Sequence, residues 1–180
     1  MTINGVAGVK LMNFAEFEGL TDQARVWIFG LERSLDDGET QRLEAGMTQF
    51  SATWNSHKIP VKAAFKVALN RFVIIAAEST DGVSGCSIDS MVRNLKSLQE
   101  SMGLGTPRGN LIFFSDEEAE IHSVDHLSFY DTADSGQIKP QTKVFDTLVQ
   151  NLGQLRAGRF EASFETSWHS KTFPLGLCQE

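Results

Sequence analysis

The sequence predicts an α+β fold, because segments of two different apolar periods follow one another along the chain. Two segments carry apolar residues at every third or fourth position, which is typical of helices: residues 36–54 and 84–102. Four short apolar runs rich in β-branched and aromatic residues are typical of strands: residues 24–29, 63–69, 72–75 and 111–114. The order β-α-β-β-α-β predicts a ferredoxin-like arrangement, with the helices on one face of a four-stranded antiparallel sheet.

Local signals mark the ends of these elements. The first strand ends at Gly30, and Asp36 with Glu39 three residues later has the spacing of a capping box at a helix start. Asn70 favours a turn between the two middle strands. The second helix ends at Gly103, and residues 103–110 are expected to form a loop before the fourth strand.

The chain is expected to have three parts. Residues 1–13 contain little that could pack and are predicted to form a mobile leader. Residues 14–116 form the ferredoxin-like core. Residues 117–180, with an edge strand over 118–122 and a short helix over 124–130, are expected to pack on that core as an α/β appendage, so that the chain makes one structural domain.

Composition excludes several classes of protein. The 180 residues have a net charge of -7, which argues against a nucleic-acid-binding protein, and no apolar run is long enough to span a membrane. The N-terminus resembles neither a signal peptide nor a transit peptide, so a cytoplasmic location is predicted. The only two cysteines, Cys86 and Cys178, are then expected to be free thiols.

Six short motifs occur in a recognisable order along the chain. They are Arg25-Val26-Trp27-Ile28, Trp54-Asn55-Ser56-His57, Asn70-Arg71-Phe72, Ser84-Gly85-Cys86-Ser87-Ile88-Asp89, Val144-Phe145-Asp146-Thr147-Leu148-Val149 and Ser167-Trp168-His169. Over residues 12–173 the chain resembles a small bacterial family, common in the Bacteroidetes, that carries the label "ABC transporter ATPase". The label implies ATP hydrolysis, but the sequence has no G-x-x-x-x-G-K-[ST] run to hold phosphates, so we predict that the chain is not an ATPase.

Cys86 is the candidate nucleophile. A cysteine at the start of a helix faces free backbone N–H groups and the positive end of the helix dipole, both of which favour the thiolate. The family resemblance implies shared Trp-x-x-His and Trp-His motifs, which makes His57 and His169 the candidate bases, with Asp89 or Ser87 as orienting groups. The alternative is structural. Cys86 is then a small buried residue, Ser84 or Ser87 is the helix N-cap, and Asp89 complements the dipole.

The same residues suggest a binding site. Serine hydroxyls and N–H groups at a helix start can bind a phosphate or carboxylate, so Ser84, Ser87 and Asp89 are candidate binding residues, with Arg71 adding positive charge. Trp168 lies outside any periodic pattern and is a candidate for ligand stacking or docking.

One acidic segment also contains two histidines, which are residue types that bind metal ions. It contains Glu118, Glu120, His122, Asp125 and His126, but its strand-like alternation does not place the two imidazoles on one face. We interpret this segment as solvated surface, and the sequence predicts neither a metal site nor a cofactor.

Three functions are compatible with these residues. The first is a non-catalytic module that binds a small ligand or a protein partner, with a homodimer as one expected state because ferredoxin-like sheets often pair. The second is a small cysteine-dependent hydrolase or transferase that uses Cys86 as nucleophile. The third is a thiol redox sensor, which is disfavoured because no second cysteine lies near Cys86 to resolve an oxidised thiol.

Overall fold

The computed structural model of the protein describes residues 15–105 and 111–175. The predicted leader over residues 1–13 lies outside these ranges, as do Cys178 and part of the predicted loop over residues 103–110. None of the helices in the described ranges is long and apolar enough to cross a bilayer.

Helices and strands are mixed along the chain, which confirms the α+β class. The strands are β1 Arg25–Gly30, β2 Asn55–Ser56, β3 Ile59–Pro60, β4 Lys62–Ala68, β5 Phe72–Glu78, β6 Leu111–Ser115, β7 Ile121–Asp125, β8 Lys143–Phe145 and β9 Glu161–Ser163. The helices are α1 Asp37–Ser51, α2 Gly85–Ser101, α3 His126–Asp134, α4 Leu152–Arg156 and α5 His169–Thr172, with 3-10 turns at Ala15–Phe17 and Phe164–Thr166.

The first sheet has three antiparallel strands in the order β1-β5-β4. β4 and β5 are joined by a tight turn in which Leu69 and Asn70 have φ of 53° and 51°, as a twisted hairpin requires. The predicted turn at Asn70 is therefore confirmed. β2 and β3 form a separate small hairpin.

The second sheet has four antiparallel strands in the order β7-β6-β8-β9. β6 is the predicted fourth strand, and it pairs with β7 and β8 rather than joining the first sheet. The ferredoxin-like arrangement is therefore not confirmed. The physical reason is that a short turn leads from β6 straight into β7, so β6 forms a local hairpin with the next strand, and neighbours in sequence commonly pair.

The two sheets pack face to face between two layers of helix. α1 and α2 cover one face of the first sheet, where they bury Val73, Ile75 and Ala77 of β5. The alternate residues of β5 face the second sheet, where Phe72 lies 5.0 Å from the rings of Phe113, Phe145 and Phe160, centroid to centroid. α3 and the C-terminal segment cover the outer face of the second sheet. The hydrophobic cluster between the sheets contains residues of both predicted parts, 14–116 and 117–180. The two parts therefore share one hydrophobic core.

Close backbone approaches bring the layers together. The aromatic ring of Phe113 occupies the space that a Cβ at Gly30 would fill, with its nearest atom only 2.0 Å from that position. In the same way, the side chain of Leu98 of α2 fills the space that a Cβ at Gly46 of α1 would occupy. The predicted capping box of α1 is confirmed, because Asp36 accepts a hydrogen bond from the N–H of Glu39 and Glu39 accepts one from the N–H of Asp36.

Candidate functional site

Cys86 lies on the first turn of α2 and is exposed to solvent. The helix begins at Gly85, and Ser84 is its N-cap, as one of the two predicted capping residues. The interpretation of Cys86 as a buried structural thiol is wrong, because the position that points inward from this turn belongs to Ser87, which is 5% exposed. The thiol is accessible to reagents and to ligands.

The β2–β3 hairpin is fastened to this turn by hydrogen bonds. The Oγ of Ser56 accepts the N–H of Ser84 at 3.0 Å and donates to the carbonyl of Gly82 at 3.1 Å. The Oγ of Ser87 donates to the carbonyl of Asn55 at 2.7 Å, and the indole N–H of Trp54 donates to the carbonyl of Ser87 at 3.0 Å. The motifs over residues 54–57 and 84–89 are therefore in direct contact.

His57 sits at the tip of that hairpin. His57 and Lys58 have φ of 51° and 68°, which is the left-handed conformation that a two-residue hairpin turn needs. His57 is exposed, as are Cys86 and Asp89. The structure therefore places His57 on the segment next to the turn that carries Cys86, while among the described residues no side-chain hydrogen bond joins these three residues.

The serines of this turn are already engaged. The Oγ of Ser84 accepts the N–H of Ser87 at 3.3 Å and lies 2.9 Å from the Oγ of Ser87. With the bonds to the hairpin added, both hydroxyls have protein partners. Helix capping and the hydrogen bonds to the β2–β3 hairpin account for the orientation of the Ser84 and Ser87 hydroxyls without a bound anion.

Arg71 does not lie near the start of α2, which corrects the expectation that it adds charge there. Arg71 precedes β5, whereas α2 follows its other end at Glu78. A strand of this length separates the two positions by about 20 Å. Arg71 instead reaches across to the second sheet.

His169 and Trp168 lie in the outermost layer, on the far side of both sheets from α2. The ring of His169 stacks on that of Trp168 at 3.9 Å, and its centroid lies 6.1 Å from that of Phe129. His169 is 1% exposed, and burial lowers its pKa to about 4, a shift that the nearby Asp146 opposes and His126 reinforces. The structure therefore does not bring His169 to Cys86.

Trp168 lines a cavity of about 270 Å³ together with Asp146 and Arg159. Its indole nitrogen is buried and, among the described residues, has no hydrogen-bond partner. This position is compatible with the predicted ligand contact, and the cavity volume lies just below the range of about 300–1,000 Å³ that is typical of small-molecule sites.

A larger cavity, which we call the Arg71 cavity, has a volume of about 1050 Å³ and follows the edge strand β7. Its lining includes Arg71, Asp116, Glu120, His122 and Ser123. In the sequence, Arg71 is a candidate only for the α2 turn, and Glu120 and His122 belong to the acidic segment, whereas neither Asp116 nor Ser123 stands out. The hairpin register of β6 and β7 and the turn before β5 bring them together.

Arg71 is a buried cation with few partners. Only 6% of its surface is exposed, its Nη2 donates to the Oγ of Ser123 at 3.0 Å, and its Cζ lies 5.8 Å from the centre of the Phe113 ring. Its Nε is buried without a partner, and no carboxylate of the described residues lies within 4 Å of its guanidinium nitrogens. Burial lowers the pKa of Arg71, and the charge of Glu120 opposes that shift.

Asp116, Glu120 and His122 form a compact group on the same cavity. One oxygen of Asp116 accepts the N–H groups of Glu118 and Glu120 at 3.0 and 2.8 Å. The other oxygen lies 2.6 Å from Nε2 of His122, and this hydrogen bond is the main reason why the pKa of Asp116 is lowered. One side-chain ligand atom from each of the three residues lies within 4.8 Å of the others.

Sequence analysis placed Glu120 correctly beside His122, but it missed Asp116 and added Asp125 and His126, which lie in other surroundings. His126 packs its ring against Phe173 at 5.4 Å, and Asp125 caps α3 by accepting the N–H of Ser128 at 2.9 Å. The signal that could have found Asp116 is its position one residue before the β6–β7 turn, because a hairpin returns the chain past that point.

Comparison of the chain with protein-family models, with curated proteins and with solved structures gives no match. The geometry of the two regions described above therefore carries the functional argument.

Proposed function

We propose that this protein binds a small anionic ligand in the Arg71 cavity, which refines the predicted small-ligand-binding module. The observation that supports this proposal is the buried, unpaired guanidinium of Arg71. A buried charge without a partner costs of the order of several kcal/mol, and buried arginines are normally paired. A bound anion is the partner that would remove this cost.

A carboxylate or phosphate suits the guanidinium best. The group presents five N–H donors in a planar fork that matches two oxygen acceptors, and in the protein one bond, to Ser123, uses this fork. The cavity is also large enough for a metabolite-sized ligand, since small-molecule sites typically enclose about 300–1,000 Å³.

The remaining charges of the cavity restrict the ligand. Five carboxylates and three cations line it, which leaves a net charge of -2 with His122 neutral. Lys139 is paired with Glu117, and Lys143 is paired with Glu161 at 2.7 Å, so Arg71 is the cation with the least compensation. A ligand with a single carboxylate therefore fits the protein alone better than a polyanion does.

Nuclear magnetic resonance of the ¹⁵N-labelled protein tests this proposal. We expect acetate, succinate and inorganic phosphate, added separately in the presence of EDTA, to shift the Arg71 side-chain Nε–H and the Ser123 amide signals in a saturable way for at least one anion. R71Q should abolish the Ser123 response, and the charge-matched control R93Q, on the exposed face of α2, should keep it. Saturation in none of the titrations, or in R71Q as well, would overturn the proposal.

A second candidate function is thiol chemistry at Cys86. The observation that favours it is the exposed thiol on the first turn of α2, with the His57 hairpin fastened to the same turn. In a C178S background, we expect iodoacetamide to alkylate Cys86 several-fold faster than free cysteine at neutral pH, and H57A to slow that reaction if His57 acts as the base. Alkylation no faster than that of free cysteine would leave only the binding function.

A further inference from the structure

We propose that Asp116, Glu120 and His122 bind a divalent metal ion on the wall of the Arg71 cavity. The three residues supply two carboxylate oxygens and one imidazole nitrogen, and these ligand atoms already lie within 4.8 Å of one another. Ligands of one zinc ion lie about 2.0–2.2 Å from the metal, so their atoms are roughly 3–3.5 Å apart. Only small side-chain rotations separate the observed group from that arrangement.

Two of the ligand groups are held in place. Both N–H bonds to Asp116 go to one carboxylate oxygen, which leaves the other directed at His122. The carbonyl of Glu120 accepts the N–H of Asp116 at 3.0 Å, which closes the turn and fixes the start of β7. Glu120 is exposed, so its side chain can move to complete the set.

A metal ion would take the place of the proton between Asp116 and His122. Nε2 of His122 and the free oxygen of Asp116 share one hydrogen at 2.6 Å. When the metal binds Nε2, a neutral imidazole carries its hydrogen on Nδ1 instead, and Asp116 stays ionised. The contact that now holds a proton would then hold the ion.

This inference rests on the proposed anion site, because Arg71 calls for an anion and a metal ion on the same cavity wall would hold that anion from its other side. Arg71 is 94% buried, has an unpartnered nitrogen, and lines the same cavity. A divalent ion offsets the net charge of -2 on the cavity wall, so a metal at Asp116, Glu120 and His122 weakens the repulsion between this wall and an anion bound to Arg71. An anionic ligand could then contact the guanidinium on one side and the metal on the other.

The ligand set selects the kind of ion. One nitrogen and two oxygens suit Zn²⁺ or Mn²⁺, whereas Mg²⁺ and Ca²⁺ prefer oxygen ligands alone. Three protein ligands also leave coordination positions for a water molecule or an anion, as in metal sites that bind substrates.

Isothermal titration of Zn²⁺ into the full-length C86S/C178S protein, after treatment with EDTA and desalting, tests this inference. The two serines remove thiolates that would also bind zinc. We expect one site of micromolar affinity, weakened at least tenfold by H122A and by D116N. H126A is the matched control, since His126 is an exposed histidine four residues away, and it should bind zinc as the parent does.

The outcome separates this inference from the proposed anion site, because zinc is measured with no anion ligand present. R71Q should leave zinc binding intact or make it tighter, because it removes a positive charge near Glu120, although it abolishes the anion response. Undetectable zinc binding, or equal losses in H122A and H126A, would overturn the metal site. Far-ultraviolet circular dichroism of H122A and D116N shows whether each variant is folded, and a loss of zinc binding in either folded variant suffices for the test.

Discussion

The first turn of α2 and the Arg71 cavity differ in how their polar groups are satisfied. At the α2 turn, the hydroxyls of Ser56, Ser84 and Ser87 all have protein partners. In the Arg71 cavity, a permanently charged group is buried with one side-chain hydrogen bond, and no carboxylate of the described residues lies within 4 Å of its guanidinium nitrogens. Polar groups that satisfy one another's hydrogen bonds stabilise the fold. A buried charge without a counterion instead indicates that a ligand is missing.

His169 shows what burial does to a different cation. Burial lowers the pKa of His169 to about 4, so at neutral pH this residue is uncharged and needs no counterion. Arg71 stays charged despite its burial, because the ordinary pKa of an arginine lies so far above neutral pH that the lowering by burial does not neutralise it. His169 and Arg71 are therefore similarly buried, but only Arg71 keeps a charge that requires an anionic partner.

The largest expected effect concerns His169. Because its folded pKa lies below the ordinary 6.5, the unfolded chain takes up the proton first as the pH falls. The free energy of unfolding should therefore drop between pH 6.5 and pH 4, by about 3 kcal/mol at most, and this contribution should be constant above pH 7. Urea unfolding of wild type and H169Q at a series of pH values measures the difference, and parallel pH profiles for the two proteins would contradict it.

The second prediction tests whether the α2 turn is structural. Ser56 is 1% exposed, and S56A removes the acceptor for Ser84 and the donor for Gly82. We expect a loss of about 2–3 kcal/mol in the free energy of unfolding, since two backbone groups lose their partners. S101A is the matched control, because its exposed hydroxyl bonds only to a carbonyl of its own helix, and it should change stability by less than about 0.5 kcal/mol.

The third prediction has the opposite sign. R71M replaces an uncompensated buried charge by an apolar side chain of similar length, so we expect the protein without ligand to gain about 1–2 kcal/mol in stability while the anion response is lost. Denaturant unfolding with and without anion measures both effects. A loss of more than 1 kcal/mol in R71M would mean that Arg71 is part of the structure, as Ser56 is, and would remove the contrast between the two regions.

The parts of the fold that sequence predicted correctly depend on near neighbours. The capping box of Asp36 and Glu39 and the turn at Asn70 each involve residues within a few positions, and both are confirmed. The partners of β6 could not be predicted, because its four consecutive apolar residues suit a place beside β1 as well as one beside β8. The packing of Phe113 on Gly30 that joins the two sheets connects the first strand, β1, with β6, which is far from it in sequence.

The candidate site was hidden for the same reason. Arg71 and Ser123 are 52 positions apart, and their contact exists only once the second sheet is packed on the first. A turn lies between Asp116 and His122, so no helical or strand period relates them, and their proximity follows only from the pairing of Ser115 with Ile121 across the hairpin. Cys86 and its serines, by contrast, form a contiguous motif that sequence alone makes conspicuous.

The smallest expected effect concerns Ser84, and it distinguishes a helix cap from an anion-binding residue in the Cys86 motif. If Ser84 serves as the helix cap, S84A should cost about 1 kcal/mol of stability, and S84G only a few tenths, because glycine leaves the helix end open to water. Neither substitution should change the affinity for acetate, succinate or phosphate. If instead Ser84 held an anion, S84A and S84G would weaken binding equally, since both lack the hydroxyl. A larger stability loss in S84A than in S84G, with unchanged anion affinity in both, would show that Ser84 is a helix cap. An equal loss of anion affinity in both variants would show that Ser84 binds the anion.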